Sequence, residues 1–238
     1  MAAGLEHPIF DSVRACLGRL KDFSLDSLNR LAEESNILTE GGKPIRFVPP
    51  GASDPYYEIH LFETGQVQTR PDNRHDFFNA LAWLALPRTK ARINAMHAAE
   101  IPHEGGKRGR RRDMLTIFDE GGAIVAGAAD IAALVRAARW RELFVGRYRD
   151  FRIVVLGHAV LEQALKPHPG ITCKVVFADP ADDLDAQAAD AITGLATPKE
   201  LPPLPVFGYP GWHPASADAK FYDDKRYFRP ASFSAAAR

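Results

Sequence analysis

The sequence predicts an α+β or α/β fold: a mixed sheet of about five or six strands, helices packed on it, and an extended C-terminal arm. Three observations predict it: helical apolar spacing near the N-terminus, a strand–helix–strand pattern in residues 153–177, and a proline-rich end. The chain of 238 residues can bury about 70% of its unfolded surface, so it needs no metal or disulfide framework to fold. We predict a single domain with N-terminal helices at 9–34, a core at 45–196 and the arm at 197–238.

The composition is that of an ordinary globular protein, with 46% hydrophobic and 25% charged residues. The formal net charge is zero, so no overall field favours nucleic acid or an acidic membrane surface. The longest apolar stretch, residues 77–86, is interrupted by Asn79 and is too short to span a bilayer. The N-terminus lacks the basic and apolar segments of a signal peptide. We therefore expect a cytoplasmic protein with no membrane partner.

Apolar spacing and capping residues predict the elements of the first half of the chain. The predicted helices cover residues 9–20, 24–34, 76–86 and 88–100. Alternating apolar residues predict strands, which cover residues 45–48, 57–61 and 67–69. Gly65 lies between the second and third of these strands, where it allows a turn.

In the second half of the chain, residues 103–113 have the glycines and cations of a loop. Apolar residues on both sides of Asp119-Glu120-Gly121-Gly122 predict a hairpin with a glycine turn. Asp130 is expected to cap a helix that runs toward Leu143. A strand, a helix and a strand then follow at residues 153–156, 158–165 and 171–177, which favours a partly parallel sheet.

The first candidate site lies on the two predicted helices after the polar loop. His75 and Asn79 are four residues apart and share one helix face, as do Asn94 and His97 three residues apart. Because imidazoles and carboxylates move protons or bind metals, we predict His75, Asp76 and His97 as catalytic residues. The alternative is structural: Asp72, Asn73 and Asp76 are good N-cap types, and His75 and Asn79 would tie down the loop.

Four residues are predicted to bind substrate. Arg70 and Arg88 would hold an anionic group, and Asn79 and Asn94 would offer amide hydrogen bonds. The expected partner is therefore a small anionic substrate.

A divalent metal site is predicted where the buried strand at 153–156 ends. His158 and Glu162 are four residues apart, a spacing at which two ligands address one ion. The carboxyl ends of sheet strands are where open α/β folds bind ligands. Asp119 is the predicted third ligand, since two ligands are too few for a catalytic ion. The alternative is a helix-surface pair without metal.

A basic run at residues 107–112 could bind phosphate. Nucleic acid is not favoured, because the aromatic residues that stack bases are missing around this run. The alternative is a solvated loop. The chain has neither a dinucleotide-binding nor a phosphate-binding glycine motif.

Several motifs occur together along the chain. They are TRPDNRHDFFNAL at 69–81, LPRTK at 86–90, TIFDEG at 116–121, GHA at 157–159, PVFGYPGW at 205–212, FYDD at 221–224 and FRP at 228–230. This set, spread over roughly residues 45–230, resembles a bacterial family known as domain of unknown function 3025. Arg74 departs from the pattern, where the family is expected to show Trp more often, so a ring at this position is not essential. The resemblance implies a bacterial protein located in the cytoplasm, and it assigns no activity to it.

Two functional hypotheses follow from these residues. The first is a metal-dependent hydrolase acting on a phosphoester, motivated by the concentration of His and carboxylate residues in three segments. The second is a non-catalytic binding or scaffold protein, in which the polar motif is structural. Convergence of His75, His97, His158 and Asp119 on one cavity would favour the first.

Overall fold

A four-stranded sheet and a separate two-stranded sheet form the β-structure of the protein. The computed structural model describes residues 4–51 and 56–231 of the chain. The strands are β1 (Arg46–Val48), β2 (Gln66–Gln68), β3 (Gly122–Gly127), β4 (Phe151–Val155), β5 (Cys173–Ala178) and β6 (Pro203–Leu204). The large sheet has the order β4-β3-β5-β6, in which β3 runs parallel to β5 and antiparallel to β4. The short strands β1 and β2 form a parallel pair.

Helices pack on both sheets. They are α1 (Asp11–Arg19), α2 (Leu25–Glu34), α3 (Tyr57–Thr64), α4 (Arg74–Ala85), α5 (Pro87–Glu100), α6 (Arg110–Gly121), α7 (Ala129–Arg136), α8 (His158–Gln163) and α9 (Leu184–Thr193). This mixture of helices and mixed sheets confirms the predicted α+β class. Within the described ranges, no helix has both the length and the apolar character needed to cross a bilayer.

Both faces of the large sheet are buried. Successive residues of a strand point to opposite sides, so Val125 joins the hydrophobic cluster on one face and Ile124 joins the cluster on the other. Phe118 of α6 and Ile192 of α9 are fully buried against Ile124 in the second cluster. The sheet is therefore covered by helices on each side, as expected for a sheet with a parallel strand pair at its centre.

The predicted strand at residues 57–61 is wrong, because this segment belongs to helix α3. Tyr57 and Leu61 alternate with polar residues, but they are also four apart and therefore share a helix face. Gly65 ends the helix with a φ of 77°, a left-handed conformation that glycine adopts without strain. A Cβ at this position would lie 2.1 Å from the carbonyl oxygen of Pro44, so the turn into β2 requires glycine.

The predicted glycine hairpin at residues 119–122 is also wrong. Helix α6 continues through Asp119 and Glu120, and Gly122 begins strand β3 directly. Met114 and Phe118, four residues apart, are both fully buried on one helix face. The residues that resembled a hairpin turn are instead a helix-to-strand junction. This difference places the acidic residues on a helix.

Two other segments differ from prediction in detail. The helix predicted from Asp130 toward Leu143 is divided into α7 and a π-helix at Glu142–Gly146. The division follows Ala138, whose φ of 52° is left-handed and cannot continue a right-handed helix. The loop predicted at residues 103–113 ends early, because α6 begins at Arg110.

The C-terminal arm is anchored by aromatic side chains. From residue 197 to residue 231 the chain forms short 3-10 turns and strand β6. The Tyr227 hydroxyl donates to the carbonyl of Ile171 at 2.8 Å and accepts the N–H of Phe207 at 2.9 Å. The buried Phe228 ring lies 6.3 Å from that of Phe144. The last residues of the predicted arm, 232–238, lie outside the described part of the chain.

Candidate functional site

A polar pocket of about 490 Å³ is lined by residues of helices α3, α4, α5, α6 and α8. Predicted site residues from four separated segments meet there: Arg70, His75, Asp76, Asn79, His97, Asp119 and His158. A larger groove of about 1170 Å³ lies elsewhere, along the C-terminal arm. The polar pocket is the candidate site because the chemically versatile side chains converge there.

Three predicted residues do not line this pocket. Arg88, at the first turn of α5, donates to Asp183 and, through its backbone, to Asp185, each at 2.8 Å. Asn94 and Glu162 do not line the pocket themselves but contact side chains that do. The Asn94 amide donates to the Glu58 carboxylate at 2.8 Å, and Glu162 contacts His75. Arg88 thus binds the start of helix α9, whereas the other two residues contact lining side chains.

The turn before α4 aims His75 and Asp76 at the pocket. Asp72 has a left-handed φ of 57°, which aspartate tolerates better than most residues. Asn73 then caps the helix, accepting the backbone N–H of Asp76 at 2.9 Å. The Arg70 guanidinium holds the Asp76 carboxylate through two bonds, Nε–Oδ2 at 2.8 Å and Nη2–Oδ1 at 2.9 Å. Burial would raise the pKa of Asp76, but these bonds from Arg70 lower it.

Asp119 is held in the pocket wall by a buried cation. The Lys90 side chain is only 4% exposed and pairs with the Asp119 carboxylate, while also donating to Asn79 Oδ1 at 2.8 Å. Burial opposes ionisation of Asp119, yet the nearby Lys90 charge keeps the pKa of this carboxyl below its ordinary value. Asp119 is therefore a carboxylate at neutral pH.

His158 is brought to Asp119 by a close backbone approach. Strand β4 ends at Val155, and Gly157 donates its N–H to the carbonyl of Gly122 at 2.8 Å. A Cβ on Gly157 would lie 2.6 Å from the carbonyl oxygen of Glu120. Only glycine permits this contact, which packs the first turn of α8 against the end of α6.

His75 and His158 form a directly contacting imidazole pair. Their Nε2 atoms are 3.1 Å apart, and the ring planes are inclined at 77°. Each outer nitrogen faces a carboxylate: His75 Nδ1 lies 3.1 Å from Glu162 Oε2, and His158 Nδ1 lies 3.7 Å from Asp119 Oδ2. The described groups give His158 Nδ1 no hydrogen-bond partner although it is buried. The four side chains thus form a linear series with the imidazole pair at its centre.

The pair has three polar contacts but, when both rings are neutral, only two ring protons. With the protons on His75 Nδ1 and His158 Nε2, for example, His158 Nδ1 faces the Asp119 carboxylate without a proton between them. Each other distribution also leaves at least one contact in which two acceptors face each other. One additional proton would satisfy all three contacts. The arrangement therefore leaves one proton position open, and burial of His158 opposes its occupation at neutral pH.

Burial keeps both enclosed imidazoles of the site neutral. It lowers the pKa of His158 to about 4, although the Asp119 charge opposes the change. Burial likewise lowers the pKa of His97 to about 4, with Arg112 and Arg108 adding to the effect and Asp119 opposing it. At neutral pH both rings are therefore uncharged.

The Arg112 guanidinium fixes which nitrogen of His97 carries the proton. Arg112 Nε donates to His97 Nδ1 at 3.1 Å. Since arginine has no acceptor, Nδ1 must be the unprotonated nitrogen, and Nε2 carries the hydrogen. His97 therefore offers an N–H donor rather than a base.

Glu58 adds a carboxyl group whose pKa is raised above its ordinary value. Asn94 Nδ2 donates both to Oε2 of Glu58 at 2.8 Å and to the backbone carbonyl of Glu58 at 2.9 Å. Burial raises the pKa of Glu58, the Asn94 bond opposes the rise, and the charge of Asp119 adds to it. The pocket thus contains one carboxyl group biased toward protonation, Glu58, and two biased toward ionisation, Asp76 and Asp119.

Comparison with known families identifies the chain. A family model described as protein of unknown function (DUF3025) matches residues 45–232, well over half of the sequence. The chain belongs to this family. The resemblance predicted from the motifs is confirmed, and the DUF3025 description assigns no activity. Comparisons with curated proteins and with solved structures gave no match.

The three predicted metal ligands of this DUF3025 member each contact a side chain outside the predicted ligand set. Glu162 contacts His75, Asp119 pairs with Lys90, and His158 contacts His75 through Nε2. Among the described residues, no group of three or more His, Cys, Asp or Glu side chains is arranged to hold a metal ion. A metal site at these residues stays a prediction, and it would require their side chains to rearrange.

Sequence reasoning missed several functional side chains. Lys90 lies within the LPRTK motif, but a lysine on a predicted helix is ordinarily solvent-exposed, so its burial was not expected. Glu58 was assigned to a strand, which concealed its place on a helix beside the pocket. Arg108 belongs to the basic run and lines the pocket. The available signal for Lys90 and Arg108 was membership of a motif or of the basic run, without a direction for the side chain.

Proposed function

We propose that the protein is a hydrolase in which the His75–His158 pair acts as the general base on a water molecule. The observation that carries this proposal is the 3.1 Å contact between the two Nε2 atoms, with a carboxylate facing each outer nitrogen. Such a pair accepts a proton and gains a contact by doing so. An exposed helix surface pair would not be built in this way.

The proposed reaction is the cleavage of an ester bond by water. The imidazole pair takes one proton from the water molecule while the oxygen of that water attacks the electrophilic centre of the ester. The bond to the leaving oxygen then breaks, and the same proton passes to that oxygen. The His97 Nε2–H is placed to donate to the developing negative charge on the attacked group. Asp119 and Glu162 stabilise the protonated pair, so neither carboxylate needs to touch the substrate.

The lining supports hydrolysis by activated water over a covalent mechanism. Of the residues that line the described pocket, none is serine or cysteine, and Thr116 is the one aliphatic hydroxyl. Both free cysteines lie elsewhere, at Cys16 and Cys173. The His75 side chain is 38% exposed, so water can reach the pair from the pocket.

A structural role is the second candidate function, and a specific observation favours it. Lys90 and Asp119 form a buried ion pair that links α5 to α6, while the imidazole pair links α4 to α8. A network of this kind can hold four helices in place without any reaction. In that case the protein is a binding or scaffold protein.

Activity and stability measured on the same variants separate the two candidates. We expect the full-length protein to hydrolyse at least one chromogenic phosphate or carboxylate ester. His75→Gln and His158→Gln should each lower that rate by about 100-fold, as loss of a general base does. His103→Gln, at an exposed histidine, is the control and should change nothing. Sharply lowered melting temperatures with no hydrolysis in the parent protein would favour the scaffold instead.

The same assay tests the predicted metal dependence. The proposal routes the proton through imidazoles, so we expect the rate to survive treatment with a chelator. A rate that is lost with the chelator and restored by zinc, manganese or magnesium would overturn this part of the proposal. It would support the metal-dependent hydrolase predicted from sequence.

A further inference from the structure

We propose that Arg108, together with the Nε2–H of His97, forms a subsite that binds the oxyanion group of the substrate, a phosphate or a carboxylate. This inference rests on the proposed function, since it names the chemical class of substrate for the same pocket. It also gives a role to one residue of the basic run.

The loop that carries Arg108 to the pocket is held in place by hydrogen bonds to Glu104. The loop precedes α6 and is held by Glu104, whose carboxylate accepts the backbone N–H of Gly109 at 2.6 Å and the Arg112 guanidinium at 2.7 Å. The Glu104 side chain is 10% exposed in this ion pair. With this segment held at Gly109 and Arg112, Arg108 lies in the pocket lining, where its side chain is exposed and open to a ligand.

The charge of Arg108 is uncommitted, in contrast to the other cations at the site. Arg70 is bound through two hydrogen bonds to Asp76, and Lys90 is paired with Asp119. The contacts among residues 4–51 and 56–231 include no hydrogen bond or ion pair from Arg108 within 4.0 Å. A guanidinium with free donors in a pocket is a bidentate partner for a carboxylate or a phosphate.

His97 supplies a second donor in the same pocket. Its Nδ1 accepts from Arg112, which leaves the Nε2–H as the group that can face a ligand. Arg108 and His97 are close enough for the arginine charge to lower the pKa of the imidazole. An oxyanion between them would therefore receive a charged donor and a neutral donor.

The remaining carboxyl groups orient the ligand. Glu58 is biased toward its neutral form, while Asp76 and Asp119 are each paired with a cation. Glu120 is the lining carboxylate for which the described residues offer no cation partner. An anionic group is thus attracted to Arg108 and repelled from Glu120.

Binding of small anions to the full-length protein tests the subsite without any assumption about turnover. Calorimetric titrations would use inorganic phosphate and acetate at constant ionic strength, with chloride as the background ion. We expect saturable binding of at least one of the two. Phosphate binding alone identifies a phosphate-carrying substrate, and acetate binding identifies a carboxylate.

Two variants make the result specific. Arg108→Gln should weaken the binding of the anion by at least about tenfold. This is the loss of affinity expected when one charged hydrogen bond is removed. Arg110→Gln, an exposed arginine outside the lining, is the matched control and should bind as the parent does. Equal weakening in both variants, no change in Arg108→Gln, or no saturable binding in the parent protein overturns the subsite.

The subsite and the proposed function can fail separately. His158→Gln should keep the anion affinity while losing hydrolysis, because Arg108 and His97, and not the imidazole pair, bind the anion. Anion binding that depends on Arg108, in a protein that hydrolyses no ester, would support the subsite and overturn the hydrolase.

Discussion

Lowering the pH should destabilise the protein through two buried imidazoles. His97 and His158 have side chains that are almost fully buried, and burial lowers the pKa of each from 6.5 to about 4. The unfolded chain therefore binds a proton on each ring below pH 6.5, whereas the folded chain does not until pH 4 is approached. Stability due to these rings is fully present above pH 6.5 and is lost as the pH falls through this window.

The size of the effect follows from the two pKa values. One pKa unit corresponds to about 1.4 kcal/mol, so each imidazole lowers the free energy of unfolding by about 2 kcal/mol at pH 5 relative to pH 8. At pH 4 the loss is about 3 kcal/mol for each ring. Two rings together can remove a large part of the stability of an ordinary domain.

The assay is urea denaturation at pH 8 and at pH 5 for the parent and for single variants. In His97→Gln and His158→Gln the difference between the two pH values should shrink by about 2 kcal/mol. Comparing the two differences cancels the cost of the substitution at each pH, together with the titration of carboxyl groups. His103→Gln, which removes an exposed ring, should behave as the parent does. The reasoning is refuted when both buried-site variants lose as much stability between pH 8 and pH 5 as the parent.

Two further predictions concern the supports of the site. Lys90→Met should lower the free energy of unfolding by roughly 3–5 kcal/mol, because it leaves the Asp119 charge without its partner, and Lys90→Met/Asp119→Leu should recover part of the loss in urea denaturation. Gly157→Ala should cost roughly 1–3 kcal/mol, since its Cβ would meet backbone atoms of α6 at 2.6 Å. Gly18→Ala, in open space on α1, is the control, and a Gly157 variant as stable as this control would contradict the close approach.

The sequence was most informative where periodicity and capping agreed. Helix α4 and its cap at Asn73 follow directly from local residue types, and so does the strand that ends at Val155. The candidate residues His75 and Asn79 were found in the same way, because a spacing of four fixes a common helix face. These features are local, so one sequence contains the information needed to predict them.

The parts that could not be predicted depend on distant residues. Tyr57 to Leu61 satisfies both a strand and a helix pattern, and the packing of Leu61 in the core decides in favour of the helix. The contact between His75 and His158 joins residues 83 apart, and no local pattern encodes that distance. The burial of Lys90 likewise depends on Asp119, from another helix.

The anchoring of the C-terminal arm has a consequence for how the protein is made. Tyr222 and Phe228 complete the packing around Phe144, and the Tyr227 hydroxyl donates to the carbonyl of Ile171. During synthesis these residues emerge after Phe144 and Ile171, so the nascent chain carries an unfinished apolar surface until residue 228 has left the ribosome. Premature termination before this point would leave an aggregation-prone product rather than a shortened, folded one.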